Sequence, residues 1–143
     1  MPLISHRGAA HLADANSKES IMQGDHYNPA YIEVDINCTA DNILVIHHGS
    51  LSRFLQGKNT KESYAELKKH YPGLLTLDEL LLLKPVSPFL FDIKIVDHDM
   101  LGTITQKLSA WHRHDFAFTS PHESALAAMK RSFPDALTLQ SQP

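Results

Sequence analysis

Two acidic residues, Glu33 and Asp35, lie two positions apart in a segment rich in β-branched residues that spans residues 31–39. Side chains two positions apart in a β-strand leave the same face of a sheet. Two carboxylates on one face repel each other, and a hard divalent cation, which prefers oxygen ligands, would remove that repulsion. The pair therefore indicates either a site for a cation such as Mg²⁺ or Ca²⁺ or a strand with one solvated face.

Asp92 and Lys94 repeat this spacing in the apolar segment 89–95. A strand this apolar is typical of the centre of a parallel sheet, where both faces are covered and charged groups need partners. Asp92 could supply a third oxygen to a cation, and Lys94 could neutralise a phosphate oxygen. The alternative is a buried Asp92–Lys94 ion pair.

Two histidines, His6 and His47, are each expected at the end of a strand. In α/β barrels the carboxyl ends of the strands carry the catalytic groups. Two imidazoles across a site could act as base and acid near neutral pH, and Arg7 could hold a phosphate through two hydrogen bonds. His48 should point to the face opposite His47, so we expect it to be structural.

Composition and charge narrow the classes of function. The 143 residues carry a net charge of −3 and are 43% hydrophobic, which suits a single domain over residues 1–143. A mildly acidic chain without a basic run argues against nucleic acid as a partner. The single cysteine, Cys38, excludes an intrachain disulfide and is expected in a buried strand. No signal segment or long apolar run is visible, so we expect a cytoplasmic protein without stable membrane insertion.

Short apolar runs alternate with amphipathic runs, which is typical of an α/β fold with a mainly parallel sheet. About six strands are predicted, at residues 3–5, 31–39, 43–47, 89–95, 116–120 and 137–140. Helices are predicted at residues 18–23, 60–71, 77–83, 99–112 and 121–132. A full (β/α)8 barrel needs about 200 residues or more, so we expect an incomplete TIM-type barrel, an open sheet, or a sheet that pairs with another chain. An open barrel edge exposes backbone and apolar surface, which predicts a homo-oligomer that covers it.

The order and spacing of five motifs resemble the glycerophosphodiester phosphodiesterase family. The motifs are His6-Arg7-Gly8, Glu33-Val34-Asp35, His47 with Leu51 and Arg53, Leu75-Thr76-Leu77-Asp78-Glu79-Leu80, and Asp92-Ile93-Lys94. In that family the corresponding segments read HRG, ExD, HDxxLxR, PTLxExL and EIK. Thr119-Ser120 is also similar to a small polar pair that ends a later strand of the family. The resemblance extends over roughly residues 4–141 and is most specific up to Lys94.

The resemblance implies a TIM-barrel phosphodiesterase that uses one divalent cation, Mg²⁺ or Ca²⁺, with Mn²⁺ as an alternative. It assigns the cation to Glu33, Asp35 and Asp92, acid and base catalysis to His6 and His47, and phosphate contacts to Arg7 and Lys94. The expected substrates are glycerophosphodiesters or similar small phosphodiesters of lipid metabolism, hydrolysed to an alcohol and a phosphomonoester. The alternative is a degenerate relative that binds metal or phosphate without turnover, or that acts in an assembly.

Four features depart from the family pattern. Asp14-Ala15-Asn16-Ser17 stands where the family has Pro-Glu-Asn-Thr, His48 stands where it has Asp, and Asp92 stands where it has the longer Glu. The last strands of the family barrel have no counterpart among the predicted strands. We expect the missing Glu to weaken the site without removing it, and Asp92 to reach a cation after a small backbone shift.

Overall fold

A computed structural model describes residues 4–6, 8 and 15–141 of the chain. Its strands are β1 (Ile4–His6), β2 (Tyr31–Cys38), β3 (Leu44–Ile46), β4 (Leu75–Thr76), β5 (Phe89–Ile93), β6 (Ala117–Ser120) and β7 (Thr138–Gln140). Its helices are α1 (Lys18–His26), α2 (Leu51–Gln56), α3 (Tyr64–His70), α4 (Leu77–Leu81), α5 (His98–Ala110) and α6 (Glu123–Ser132). The alternation of strands and helices expected from the sequence is therefore present.

All seven strands belong to one mostly parallel sheet. The order is β4-β3-β2-β5-β6-β7, and β1 pairs with the first half of β2. The pairs β1–β2, β2–β5, β5–β6 and β6–β7 are parallel, whereas β2–β3 and β3–β4 are antiparallel. This arrangement confirms the predicted α/β class and is consistent with an incomplete TIM-type barrel. Leu75–Thr76 adds a short seventh strand to the six predicted ones, and Leu3, the expected start of the first strand, lies outside the described residues.

The two central strands, β2 and β5, separate apolar from polar side chains by face. One face carries only apolar side chains, and all of these are fully buried: Ile32, Val34, Ile36, Phe89, Phe91 and Ile93. They pack in the main core with apolar residues of the covering helices, among them Ile104 of α5 and Met129 of α6. Burial contributes about 1.5–3 kcal/mol for each large apolar side chain. This packing therefore holds both strands in place and fixes where the polar residues lie along the opposite face.

A hairpin joins β2 to β3 and reverses the chain direction. Its turn contains Asn42 at φ 62°, a conformation that Asn tolerates better than most residues. Hydrogen bonds to the carboxylate from the Thr39 hydroxyl (2.6 Å) and from the Tyr64 backbone N–H (2.9 Å) lower the pKa of Asp41 in this turn. Ile46 pairs with Ile36. The strand that precedes His47 is thus antiparallel to β2 and is not one of the parallel barrel strands.

Cys38, at the end of β2, is buried as predicted. Burial, assisted by the Asp97 and Asp41 carboxylates, raises the pKa of its thiol to about 12. The thiol therefore stays neutral at ordinary pH, and the residue packs as a small apolar side chain.

The helices follow the predicted pattern, with ends shifted by one to three residues and two larger differences. Ser17 caps α1 as expected, through a bond from the Ser20 N–H to its hydroxyl (3.1 Å). The helix expected from about residue 60 begins only at Tyr64, because a capping box between Ser63 and Glu66 fixes its start. The second difference is α2, which was not predicted, because six residues are too few to show a helical period.

No helix in the described part of the chain combines the length and the apolar character that crossing a membrane requires.

Candidate active site

The structure brings Glu33, Asp35 and Asp92 together on the polar face of the sheet. Asp35 lies directly across from Asp92 in the parallel register of β2 and β5, and Glu33 lies two residues earlier on β2. One carboxylate oxygen of each residue lies within 4.8 Å of the others. Oxygen atoms bound at about 2.0–2.6 Å to Mg²⁺ or Ca²⁺ are themselves roughly 3–5 Å apart. The three acids therefore have a spacing that suits one divalent cation.

Lys94 lies among these acids and is only 3% exposed. Its Nζ is 2.8 Å from Asp92 Oδ2 and 3.3 Å from Asp35 Oδ1. The centroid of the Phe54 ring lies 3.8 Å from the same ammonium, at cation–π distance. The buried ion pair considered as an alternative from the sequence is thus present, and it forms part of the acidic cluster.

Asp92 is buried, and one of its carboxylate oxygens has no hydrogen-bond donor among the described residues. Burial raises the pKa of Asp92, the Lys94 ammonium opposes this rise, and the Asp35 carboxylate adds to it. Its Oδ1 is buried and has no hydrogen-bond partner among the described residues. A buried carboxylate oxygen without a donor is costly. The donor set and this oxygen both fit a hard cation.

His6 borders the cluster at the end of β1. Its Nε2 lies 3.2 Å from Glu33 Oε2, and the side chain is 66% exposed. The parallel pairing of His6 with Glu33 places the two residues side by side. An exposed imidazole next to one of the three acids can exchange protons with a bound molecule. Arg7, expected to contact phosphate, lies outside the described residues.

His47 follows strand β3 of the hairpin and lies beside Asp35 through its backbone. Its backbone N–H donates to the Asp35 carbonyl oxygen (3.0 Å), because β3 runs back along β2. Its ring packs against Tyr71, with 4.8 Å between centroids and an interplanar angle of 55°. The hairpin places the backbone of His47 beside Asp35. His47 follows an antiparallel strand and not a parallel one, as the sequence argument had assumed.

Asn16 is a site residue that the sequence argument did not identify. Its Nδ2 donates to Asp35 Oδ2 (3.0 Å), and its Oδ1 accepts from the Asp35 backbone N–H (3.2 Å). The Asn16 side chain thus bonds to both the carboxylate and the backbone of Asp35. Asn16 is buried, and its φ of 61° is uncommon for a residue other than Gly. The sequence offers two signals, an Asn beside a helix cap and its match to the Asn of the Pro-Glu-Asn-Thr segment, and neither indicates a contact with Asp35.

The expectation that His48 points to the face opposite His47 is wrong. It lines the same cleft as His47 and lowers the pKa of Asp92. Strand β3 ends at Ile46, so strand alternation does not extend to His48. The Asn37 side chain donates to the His48 carbonyl oxygen (3.3 Å). Gly49 follows at φ 76°, where a Cβ would lie 2.6 Å from Asn37 Nδ2. This local geometry turns the chain toward the cleft.

A cleft of about 1110 Å³ is lined by Asn16, His47 and His48 and, on another side, by His70 and Tyr71. The three acids are not among its lining residues. Its link to them is indirect, because Asn16 donates to Asp35. A volume of this size is at the upper end of ordinary small-molecule sites, so the cleft can hold a polar molecule beside the two histidines.

Replacing Asn16 with Gly tests its support of Asp35. Glycine keeps the positive φ but removes both hydrogen bonds to Asp35, so we expect a loss of about 1–3 kcal/mol in the free energy of unfolding, measured by urea denaturation. Asn28→Gly is a matched control, because Asn28 is exposed and has φ 51°. Equal losses for the two variants would contradict the assigned role.

The chain spans about two thirds of the length of its solved relatives. A structure from Galdieria sulphuraria, described as a putative glycerophosphodiester phosphodiesterase, has a TM-score of 0.80 and 22% identity, and the match covers 100% of this chain and 67% of that one. An Oleispira antarctica phosphodiesterase in complex with the product sn-glycerol-3-phosphate has a TM-score of 0.78 and 22% identity, with 98% and 65% covered. A glycerophosphodiester phosphodiesterase from Parabacteroides distasonis has a TM-score of 0.77 and 25% identity, with 97% and 64% covered.

The family model described as "Glycerophosphoryl diester phosphodiesterase family" matches residues 6–130, which is most of the chain. This segment contains His6, His47, Lys94 and the three acids of the cluster. A comparison with curated proteins found no match. On the extent of the family match and the agreement of the fold, the chain belongs to the glycerophosphoryl diester phosphodiesterase family.

Proposed function

We propose that this protein is a metal-dependent phosphodiesterase that hydrolyses glycerophosphodiesters or similar small phosphodiesters. The observation that carries the proposal is the convergence of one oxygen each from Glu33, Asp35 and Asp92 within 4.8 Å. Family membership supports the same chemistry. The structural relative from Oleispira antarctica was solved with the product sn-glycerol-3-phosphate, which supports a glycerol-containing substrate.

The three acids would hold one divalent cation, Mg²⁺, Ca²⁺ or Mn²⁺. A bound cation would withdraw negative charge from the nonbridging phosphate oxygens. Lys94 would donate a hydrogen bond to one of those oxygens, and Arg7 is assigned a second contact on the resemblance alone. These cationic groups would stabilise the additional negative charge that develops in the transition state.

His6 and His47 would divide the proton transfers between them. One imidazole takes a proton from the attacking water as its oxygen bonds to phosphorus, and the other gives a proton to the oxygen of the departing alcohol as the P–O bond breaks. Their positions support this division, because His6 contacts Glu33 and the backbone of His47 bonds to Asp35. The cleft beside His47 is large enough for the alcohol portion of the substrate.

A non-catalytic relative remains the second candidate because one observation favours it. Lys94 already neutralises part of the charge of Asp35 and Asp92. Such a site could persist as a structural ion-pair cluster. Turnover distinguishes the two functions.

Hydrolysis of bis(4-nitrophenyl) phosphate and of a panel of glycerophosphodiesters should require Mg²⁺, Ca²⁺ or Mn²⁺ and stop on addition of EDTA. Asp92→Asn and Glu33→Gln should each lower kcat/KM about 100-fold or more, since each removes an anionic ligand from the cation site. Asp78→Asn, in an exposed pair with Lys107, is the matched control and should retain activity. Metal binding without turnover on any of these substrates would favour the non-catalytic candidate.

Substituting either proposed acid–base residue should lower kcat more than it changes KM. We expect His6→Ala and His47→Ala each to lower kcat by roughly 10²–10⁴-fold, the usual contribution of a positioned acid or base. His112→Ala is the control, because His112 is exposed and lies between α5 and β6, at the end of the sheet away from the acids. Wild-type kcat in either test variant would remove that residue from the mechanism.

We also propose that a second copy of the chain covers the exposed edge at β7. Within the described residues β7 pairs only with β6, and Leu137 and Leu139 are each about half exposed. Unpaired strand edges with apolar side chains promote association. Light scattering at micromolar concentration should give the mass of a dimer or larger oligomer, and Leu139→Lys should shift it toward the monomer. A wild-type monomer would contradict this proposal.

A further inference from the structure

The Lys94 ammonium contacts two of the three acids that would hold a cation. Asp35 Oδ2 accepts a hydrogen bond from Asn16, and Asp35 Oδ1 lies 3.3 Å from Lys94 Nζ. The Lys94 ammonium is closer still to Asp92, at 2.8 Å from its Oδ2. The buried Oδ1 of Asp92 has no hydrogen-bond donor among the described residues. A cation held by both carboxylates would therefore lie beside the ammonium that already pairs with them.

A cation bound at Asp35 Oδ1 would lie close to the Lys94 ammonium. A divalent cation binds carboxylate oxygens at about 2.0–2.6 Å, and Lys94 Nζ is 3.3 Å from the same oxygen. Like charges at such separations repel each other strongly in a site of low dielectric constant. This repulsion favours movement of the ammonium away from Asp35 when a cation binds there.

Phe54 holds the ammonium in place from the other side. Its ring lies 3.8 Å from Lys94 Nζ, and Phe54 is itself buried in α2. His122 Nε2 donates to the Phe54 carbonyl oxygen (2.7 Å), which ties α2 to the loop after β6. The α2 helix is also capped at Ser50 and at Gly57. The ammonium is therefore enclosed between two carboxylates and an aromatic ring that is fixed by a neighbouring segment.

We propose that Lys94 is an internal competitor of the divalent cation, that its ammonium must be displaced from Asp35 when the cation binds, and that Phe54 is the positioning residue that holds it there. The proposal rests on the proposed function only in that the acidic cluster binds a cation. It predicts that removing Lys94 strengthens cation binding, although Lys94 is also assigned to the substrate phosphate. If Lys94 only supports the fold or orients the acids, its removal should instead weaken cation binding.

The test is a calorimetric titration of the full chain with Mn²⁺, in the absence of any phosphodiester. For Lys94→Gln we expect a lower Tm without metal, because two buried carboxylates lose their counter-ion, and a Kd for Mn²⁺ that is about tenfold tighter or more. The rise in Tm on adding saturating Mn²⁺ should also exceed that of the wild type. Lys107→Gln is the control, because Lys107 pairs with Asp78 at the surface, and its Kd should equal the wild-type value.

Phe54→Leu provides a second test that keeps every charged residue. Removing the aromatic face weakens the hold on the ammonium, so we expect a Kd for Mn²⁺ about two- to fivefold tighter than wild type. In the double variant Lys94→Gln/Phe54→Leu, the Kd should equal that of Lys94→Gln, because Phe54 acts only through Lys94. Additive effects of the two substitutions would remove Phe54 from the proposal.

A Kd that is unchanged or weaker in Lys94→Gln would overturn the proposal, and so would the absence of Mn²⁺ binding in both the wild type and Lys94→Gln. If Lys94→Gln does not fold even with Mn²⁺, the Kd of Phe54→Leu decides, and no tightening in that variant overturns the proposal. These outcomes are separate from hydrolysis. Tighter Mn²⁺ binding by Lys94→Gln, without turnover by the wild type, would support the competition and contradict the proposed function. Turnover by the wild type, with an unchanged Kd in Lys94→Gln, would support the proposed function and contradict the competition.

Discussion

The parallel register between β2 and β5 is the constraint on which the site depends. It sets Asp35 opposite Asp92 and Val34 opposite Phe91, so that one step along each strand changes an acidic pair into an apolar pair. Because side chains alternate with a period of two, a shift of one residue in either strand would exchange the two faces. The acids would then enter the core packed by α5 and α6, and the phenylalanines would enter the site. Packing of the core therefore also enforces the convergence of the acids.

A buried cluster of carboxylates is costly, and the chain offsets this cost with three different groups. Lys94 supplies a charge to Asp35 and Asp92, Asn16 supplies a neutral donor to Asp35, and His6 lies beside Glu33. Each partner comes from a different segment of the chain. Asp92 Oδ1 still has no donor among the described residues, which is consistent with a site whose charge is only partly compensated by the protein.

Periodicity in the sequence was sufficient to predict the shared face of Glu33 and Asp35 and the strand that holds Asp92 and Lys94. These predictions succeed because a strand fixes the direction of its side chains locally. The environment of Asp35 could not be predicted in the same way, because Asn16 reaches it from 19 residues away and from a positive φ. His48 was misassigned because the strand ends two residues earlier. The helix α2 was missed because its single turn and a half shows no pattern, although it carries Phe54 over Lys94.

The position of α2 depends on neighbouring strands more than on its own sequence. The Ser120 hydroxyl at the end of β6 donates to the Ile93 carbonyl oxygen (2.7 Å) and accepts from the His122 N–H (3.0 Å). His122 in turn donates to the Phe54 carbonyl oxygen. A short helix is only marginally stable alone, and tertiary contacts determine its position. The Ser120 hydroxyl at the end of β6 is therefore linked through His122 to the backbone of Phe54, whose ring lies over Lys94.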